Sequence, residues 1–258
     1  MSIIYSTTQK PIGYVKGPVY FLGCKIDLSK RPFIPRPETE YWIRKVIKQI
    51  KLKTKKREPR TNNQKLYCLD IFAGSGCIGL AALKQLPNVS VDFVEKEKKF
   101  LKQIALNAAI NRLDRKRYRT IRSDIFSSVR GRYDYILANP PYVAGSRAKE
   151  VDPEVLKWEP RKALFAGKDG LDVIRKFLPE AIRRLKSRGE LWMEFDPSQK
   201  DAIAEVLKNS GAAFSFFRDQ YGKWRYLVAV RKKKCADKKG AHLIIKKVSR
   251  FLRAERRV

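Results

Sequence analysis

A chain of 258 residues, 43% of them hydrophobic, can bury one sizeable α/β domain with short additions but not two full domains. With 58 Lys and Arg against 26 Asp and Glu, its formal charge of +32 attracts polyanions, so RNA or a ribosome is an expected contact for the basic surface. Cys24, Cys68, Cys77 and Cys235 form no C-x-x-C pair and His242 is the single histidine. That pattern argues against a disulfide frame, a metal site and histidine-based catalysis. Neither a signal segment nor a membrane-length apolar run is present, and the expectation is a cytoplasmic monomer with no membrane partner.

Residues 1–34 place Gly13, Gly17 and Gly23 among Tyr14, Val19, Tyr20, Phe21 and Ile26, a pattern that predicts a short hairpin leading into the chain. In Ile34-Pro35-Arg36-Pro37-Glu38-Thr39-Glu40 two prolines stiffen the entry to a helix. That helix carries Tyr41, Trp42, Val46, Ile47 and Ile50 on one face, with Glu38 and Glu40 near its positive end. Residues 51–65, basic and turn-rich, read as a solvated loop or frayed helix end.

From Leu66 onward strands alternate with helices. Strands are predicted over 66–72, 91–94, 118–121, 135–138, 191–195, 213–217 and 224–230, the last two joined as a hairpin. Helices are predicted over 77–86, around Phe100 to Ala108, and over 170–186 and 198–208; a long loop precedes the third. This alternation argues an α/β fold with a mostly parallel sheet covered on both faces. It divides the chain into the lead-in, a domain over 35–230 and a basic tail over 231–258. In the tail Leu243, Ile244, Ile245, Val248, Phe251 and Leu252 are spaced for one amphipathic helix.

Asn139-Pro140-Pro141-Tyr142 follows the apolar run Tyr135, Ile136, Leu137. Neither proline can donate to a ladder, so the strand must end there, at the edge where open parallel sheets bind ligands. The Asn139 side-chain oxygen and the Pro140 carbonyl are two acceptors able to grip the NH2 of an amide or of an exocyclic base amine, and Tyr142 can cover the flat group. Such a grip orients a poor nitrogen nucleophile and needs no metal.

At the end of the first core strand, Gly74-Ser75-Gly76 suits a backbone turn at a helix N-terminus. It is read as a two-glycine pattern, Asp70-x-x-x-Gly74-x-Gly76, short of the three-glycine dinucleotide fingerprint. Glu95 ends the second strand, and an ionised carboxylate there can take both hydroxyls of a ribose. Asp124 ends the third, placed to accept from an adenine amino group, with Ile125 flanking the ring. Acids at successive strand ends suit an adenosine cofactor whose methionine end, in S-adenosylmethionine, would face Gly74 and Asn139. Singly, Asp70 and Glu95 read equally well as helix caps or surface charges.

With these residues in view, the chain resembles the S-adenosylmethionine-dependent methyltransferases built on a seven-stranded Rossmann-like sheet. More narrowly it resembles the HemK/PrmC family, which methylates the glutamine side-chain nitrogen of the Gly-Gly-Gln motif in peptide-chain release factors. The narrower likeness rests on residues 34–40, on Trp158-Glu159-Pro160-Arg161-Lys162-Ala163-Leu164-Phe165 with Gly167, Asp169, Gly170 and Leu171, and on the glycine-punctuated lead-in. It implies that Phe72, Ala73, Gly74, Ser75 and Gly76 line the cofactor, that Glu95 holds its ribose, that Ile125 lies beside its adenine, and that residues 139–142 hold the glutamine. Two departures stand out. The family usually has glycine where Phe72 stands, and it carries an N-terminal helical domain of which only the connecting hairpin is expected here. The alternatives are an N6-adenine methyltransferase acting on RNA or DNA, against which the segments at 35–40 and 158–171 weigh, a ribosomal-protein glutamine methyltransferase, and a catalytically silent RNA-binding module.

Overall fold

The chain, seen in a computed structural model that describes residues 11–15, 17–55, 65–232 and 238–254, enters through a hairpin of β1 (Val19–Phe21) and β2 (Cys24–Ile26). Its two-residue turn, Leu22 and Gly23, has φ of 47° and 82°, the doubly positive geometry that matches strand twist. Helix α1 (Pro37–Lys55) follows the stiff proline segment and buries Trp42, Ile43, Val46, Ile47 and Ile50 on one face. It stays helical through Lys55, so the first five residues of the segment read as a solvated loop or frayed helix end are the end of the helix; residues 56–64 lie outside the described residues.

The core alternation then runs β3 (Leu66–Ile71), α2 (Cys77–Gln85), β4 (Val89–Glu95), α3 (Lys98–Ile110), β5 (Tyr118–Arg122) and β6 (Tyr133–Ala138). After short helices α4 (Pro153–Trp158) and α5 (Arg161–Leu164) come α6 (Asp172–Arg184), β7 (Leu185–Glu194), α7 (Lys200–Asn209), β8 (Ala212–Arg218), β9 (Trp224–Arg231) and α8 (Lys238–Ala254). Seven strands form one sheet in the order β5-β4-β3-β6-β7-β9-β8. It is parallel from β5 to β7, and β9 runs antiparallel to both its neighbours. The seven-stranded Rossmann-like sheet with an antiparallel C-terminal hairpin is the expected one. Because the chain works outward from β3 to β5 and then returns to β6, the strand order reverses between β3 and β6. A crevice opens beyond the strand ends at such a point.

Alternating side chains serve the two faces of the sheet. Cys68, Val91, Leu137 and Val228 pack under α1, α2, α8 and the entry hairpin, whereas Leu69, Val94, Ile136 and Leu227 pack under α6 and α7. The lead-in is sewn to α3 by three side-chain amides. Asn111, Asn107 and Gln103 accept from the backbone N–H groups of Lys25, Asp27 and Lys30 at 2.9, 2.8 and 2.8 Å.

Three local expectations change. Strand β7 starts at Leu185 rather than at 191, through an irregularity at Lys186–Gly189 whose polar residues carry no strand signal. The stretch between Pro140 and Gly170 is not one long loop but holds a 3-10 turn (Gly145–Glu150), α4 and α5. In α8 the inward stripe is Ile245, Val248 and Leu252, while Leu243, expected inward, is 52% exposed on the far side of the helix. Cys24, Cys68 and Cys77 are buried and free; Cys235 and the His242 side chain lie outside what is described. Among the described residues no cluster of potential metal ligands occurs, and no helix is long and apolar enough to cross a membrane.

Candidate active site

The register that sets Ile71 beside Ala138 ends β3 and β6 together, so Phe72 and Asn139 leave the sheet side by side. Here lies a crevice of about 810 Å³, lined among others by Phe72, Ala73, Gly74, Ser75, Glu95, Asp124, Ile125, Asn139, Pro140, Pro141 and Tyr142. The residues expected to line the cofactor and hold the glutamine are therefore brought to one place except Gly76, and Asp70 also lies outside the crevice. Gly76 leads into α2 with φ 79° and faces Ile104 and Leu80 instead of the crevice.

The two-glycine reading of this turn is corrected by Gly79, which completes Gly74-x-Gly76-x-x-Gly79. A Cβ on Gly79 would fall 2.4 Å from the ring of Phe93, so the third glycine lets α2 lie directly on β4. Its amide donates to Asp70 Oδ2 at 2.8 Å, so Asp70 satisfies a first-turn N–H of α2 from within the sheet and is not a crevice residue. Asp70 is fully buried and its Oδ1 has no partner; burial pushes its carboxyl well above the ordinary range, and the Gly79 amide only partly opposes that.

Glu95 stands at the end of β4. Its carboxylate accepts from Gly74 N at 2.9 Å, Lys96 N at 2.7 Å and Glu97 N at 3.0 Å. A carboxylate offers about four lone-pair sites, so these amides fix its direction and leave acceptor capacity for a hydroxyl. Asp124 sits on the exposed rim, where Lys96 Nζ donates to it at 2.7 Å. Phe72, Ile125, Ile78 and Phe100 supply apolar wall, and the volume is of the size small-molecule sites use. Acceptors at the β4 and β5 ends beside that wall fit an adenosyl group.

Two of these wall residues hold left-handed backbone, Phe72 with φ 63° and Ile125 with φ 50°. Each such residue costs about 1–3 kcal/mol and persists where its surroundings over-determine it. Phe72 is held by an edge-to-face contact with Phe177, centroids 5.3 Å apart, and Phe177 in turn stacks on Phe126. The backbone at 72 thus has the conformation glycine adopts freely, though the residue is phenylalanine.

At the other end, Asn139 Nδ2 donates to Thr39 Oγ1 at 3.2 Å, and Thr39 Oγ1 donates to Glu194 Oε2 at 2.6 Å. Trp42 Nε1 donates to the same oxygen at 2.9 Å, and the Tyr142 hydroxyl donates to Oε1 at 3.2 Å. Burial raises the Glu194 carboxyl above its ordinary range, and these donors and Arg225 only partly oppose that. Burial also raises the Tyr142 phenol, with the Glu194 charge adding to it. Behind the loop, Gln199 Nε2 donates to the carbonyls of Tyr142 at 2.9 Å and Gly170 at 3.0 Å. A Cβ on Gly170 would sit 2.3 Å from the Tyr142 carbonyl oxygen, which explains a glycine there.

Sequence reading passed over Thr39, Glu194 and Gln199 as site-building residues. Thr39 lies between Glu38 and Glu40, whose charges near the helix's positive end are the local signal of that segment, and Glu194 reads as the polar end of an apolar strand.

Residues 57–159 match the family model for the methyltransferase small domain. The chain is similar to the release factor glutamine methyltransferase of Thermodesulfovibrio yellowstonii, 32% identical over 204 residues that span 79% of this chain and 70% of that protein. It is 34% identical to the release factor glutamine methyltransferase of Flavobacterium psychrophilum, over 78% of this chain and 68% of that one. In fold it is similar to the crystal structure of ribosomal protein L11 methylase from Lactobacillus delbrueckii subsp. bulgaricus, with a TM-score of 0.57 and 18% identity over 81% of this chain and 84% of that one.

Proposed function

This chain belongs to the release factor glutamine methyltransferases, and from that premise we propose that it methylates the side-chain nitrogen of the glutamine in the Gly-Gly-Gln motif of a peptide-chain release factor. The observation that carries the reading is the shared edge of β3 and β6, which sets the Asn139-Pro140-Pro141-Tyr142 loop beside the Gly74 turn in one crevice. When bound there, S-adenosylmethionine supplies an electrophilic methyl on a sulfonium sulfur. In this reading Glu95 takes the ribose hydroxyls, Phe72, Ala73, Gly74 and Ser75 form the floor, Ile125 flanks the adenine, and Asp124 marks the rim by its amino group. Gly76 contributes by shaping the turn.

Asn139 Oδ1 and the Pro140 carbonyl accept from the two amide hydrogens of the glutamine, while Pro141 and Tyr142 shape the slot. Two acceptors localise electron density on the amide nitrogen and aim it, so the contribution is orientation and electrostatics, not proton abstraction by a strong base. Transfer would form the N–C bond as the methyl–sulfur bond breaks, with S-adenosylhomocysteine as the leaving group, and the nitrogen, made acidic by the new bond, would lose its proton to water.

The same proposal divides the chain into a lead-in over 1–34, the catalytic domain over 35–230 and a basic tail over 231–258. It places a monomer in the cytoplasm, with RNA or ribosome contact through the basic surface.

Tandem mass spectrometry of a release factor incubated with this protein and S-adenosylmethionine tests the reading. The expected result is one added methyl on the glutamine of Gly-Gly-Gln. Methyl label found only in RNA or DNA, or on a ribosomal protein, overturns it.

A further inference from the structure

We infer that Thr39 and Glu194 are positioning residues that dictate which way the Asn139 carboxamide faces; the inference deepens the reading above and, for its kinetic consequence, rests on it. The argument is a count of protons. Trp42 Nε1 can only donate, so its contact with Glu194 at 2.9 Å requires an accepting oxygen. The Glu194 oxygens are the acceptors in all three contacts, Oε1 from Tyr142 and Oε2 from both Trp42 and Thr39. The 2.6 Å separation between Thr39 Oγ1 and Glu194 Oε2 is that of a hydroxyl donating to a carboxylate. Thr39 has one proton and spends it there, so toward Asn139 the hydroxyl offers only a lone pair.

Asn139, 3.2 Å away, must then present its NH2 to Thr39. The opposite orientation would set two acceptor oxygens against each other. In a planar carboxamide the oxygen lies across from the nitrogen, so the relay leaves Oδ1 as the atom offered to a substrate NH2. Nitrogen and oxygen of an asparagine are usually told apart only by their partners, and here those partners admit one assignment. A flipped Asn139 would meet the incoming NH2 with its own NH2, donor against donor.

The relay also explains why a carboxylate sits 2% exposed beneath the site. A glutamine at 194 would bring donor hydrogens of its own, free the Thr39 proton for Asn139 Oδ1, and leave the amide without a dictated direction. A valine at 39 keeps the shape and removes the relay. A serine keeps the hydroxyl.

The test uses the full chain, a release factor and S-adenosylmethionine. Thr39→Val and Glu194→Gln are expected to lower kcat by about 10- to 100-fold, the scale of losing a partner that orients a working ligand, with KM and calorimetric cofactor affinity unchanged. Thr39→Ser is expected to recover most of that loss. A Thr39→Val enzyme with parental kcat, or a Thr39→Ser enzyme as slow as Thr39→Val, overturns the inference.

A second readout needs no substrate. The Asn139 side-chain NH2 signals in a ¹⁵N correlation spectrum, identified by their loss in Asn139→Ala, are expected to move in Thr39→Val and Glu194→Gln and to stay in Thr39→Ser. Unmoved signals in Thr39→Val refute the relay whatever the substrate is. A parent enzyme that leaves the release factor unmethylated refutes the proposed function alone.

Discussion

Arg36, which lines the crevice, and Glu159, 123 residues apart in the chain, form an ion pair, and Glu159 accepts at the same time from the backbone N–H of Ile34. The pair joins the two segments that carried the narrower family likeness, the proline-stiffened entry to α1 and the turn between α4 and α5. The Glu159 side chain is fully buried and burial raises its carboxyl, against the pull of Arg36. Removing one partner leaves a charge stranded in the protein, which costs more than the pair itself contributes. Arg36→Ala is expected to destabilise by about 3–5 kcal/mol, and adding Glu159→Gln to restore part of it. Urea unfolding of the two variants checks this; equal midpoints would show that Arg36 is not what compensates Glu159.

Asn139→Ala removes the acceptor without touching the Gly74 turn. Turnover is expected to fall by about 10²- to 10³-fold, the range for deleting one aimed polar group, with cofactor affinity nearly unchanged. Single-turnover methyl transfer and calorimetry separate the two quantities. A parallel collapse of both would place Asn139 in cofactor binding instead of catalysis.

Glu95→Gln keeps the shape of the side chain but removes the charge that Gly74, Lys96 and Glu97 donate to. Bonds to a charged acceptor contribute about 1.5–3 kcal/mol, so S-adenosylmethionine is expected to bind roughly 10- to 100-fold more weakly. Calorimetric titration reads this directly, and undiminished affinity would remove Glu95 from the cofactor site.

Phe72 gives a test of backbone strain. With φ at 63°, a residue bearing Cβ pays a left-handed penalty that glycine escapes. Among variants lacking the ring contact with Phe177, Phe72→Gly is expected to be about 1 kcal/mol more stable than Phe72→Ala, the reverse of the usual order. Denaturant midpoints of the pair decide it; alanine on top would mean the backbone relaxes once the ring is gone.

Asp70 links the fold to pH. Its folded carboxyl holds a proton well above the ordinary range, so its contribution to stability is complete below the unfolded value of about 3.9 and is lost as pH rises through the folded value. Asp70→Asn has no such proton to lose. From about pH 4 upward the stability difference is expected to shift toward the variant until the folded value is passed, as read from urea midpoints at each pH. Parallel pH profiles would mean Asp70 titrates alike in both states.

Alternation of apolar runs with helical spacing determined the sheet, and the prolines after Ala138 determined where β6 must stop, because both are properties of consecutive residues and their backbone donors. The same local logic located Gly74, Glu95 and Asn139, each at or just past the end of a strand. What it could not determine was which side chains from distant segments would meet behind them. Thr39, Trp42, Tyr142 and Glu194 converge only because α1 packs across β7 and the loop after β6 folds back over that strand's end. Direction at Asn139 is therefore a tertiary property: its sequence neighbours put the residue at the edge, and a hydroxyl 100 positions away turns its oxygen to the crevice.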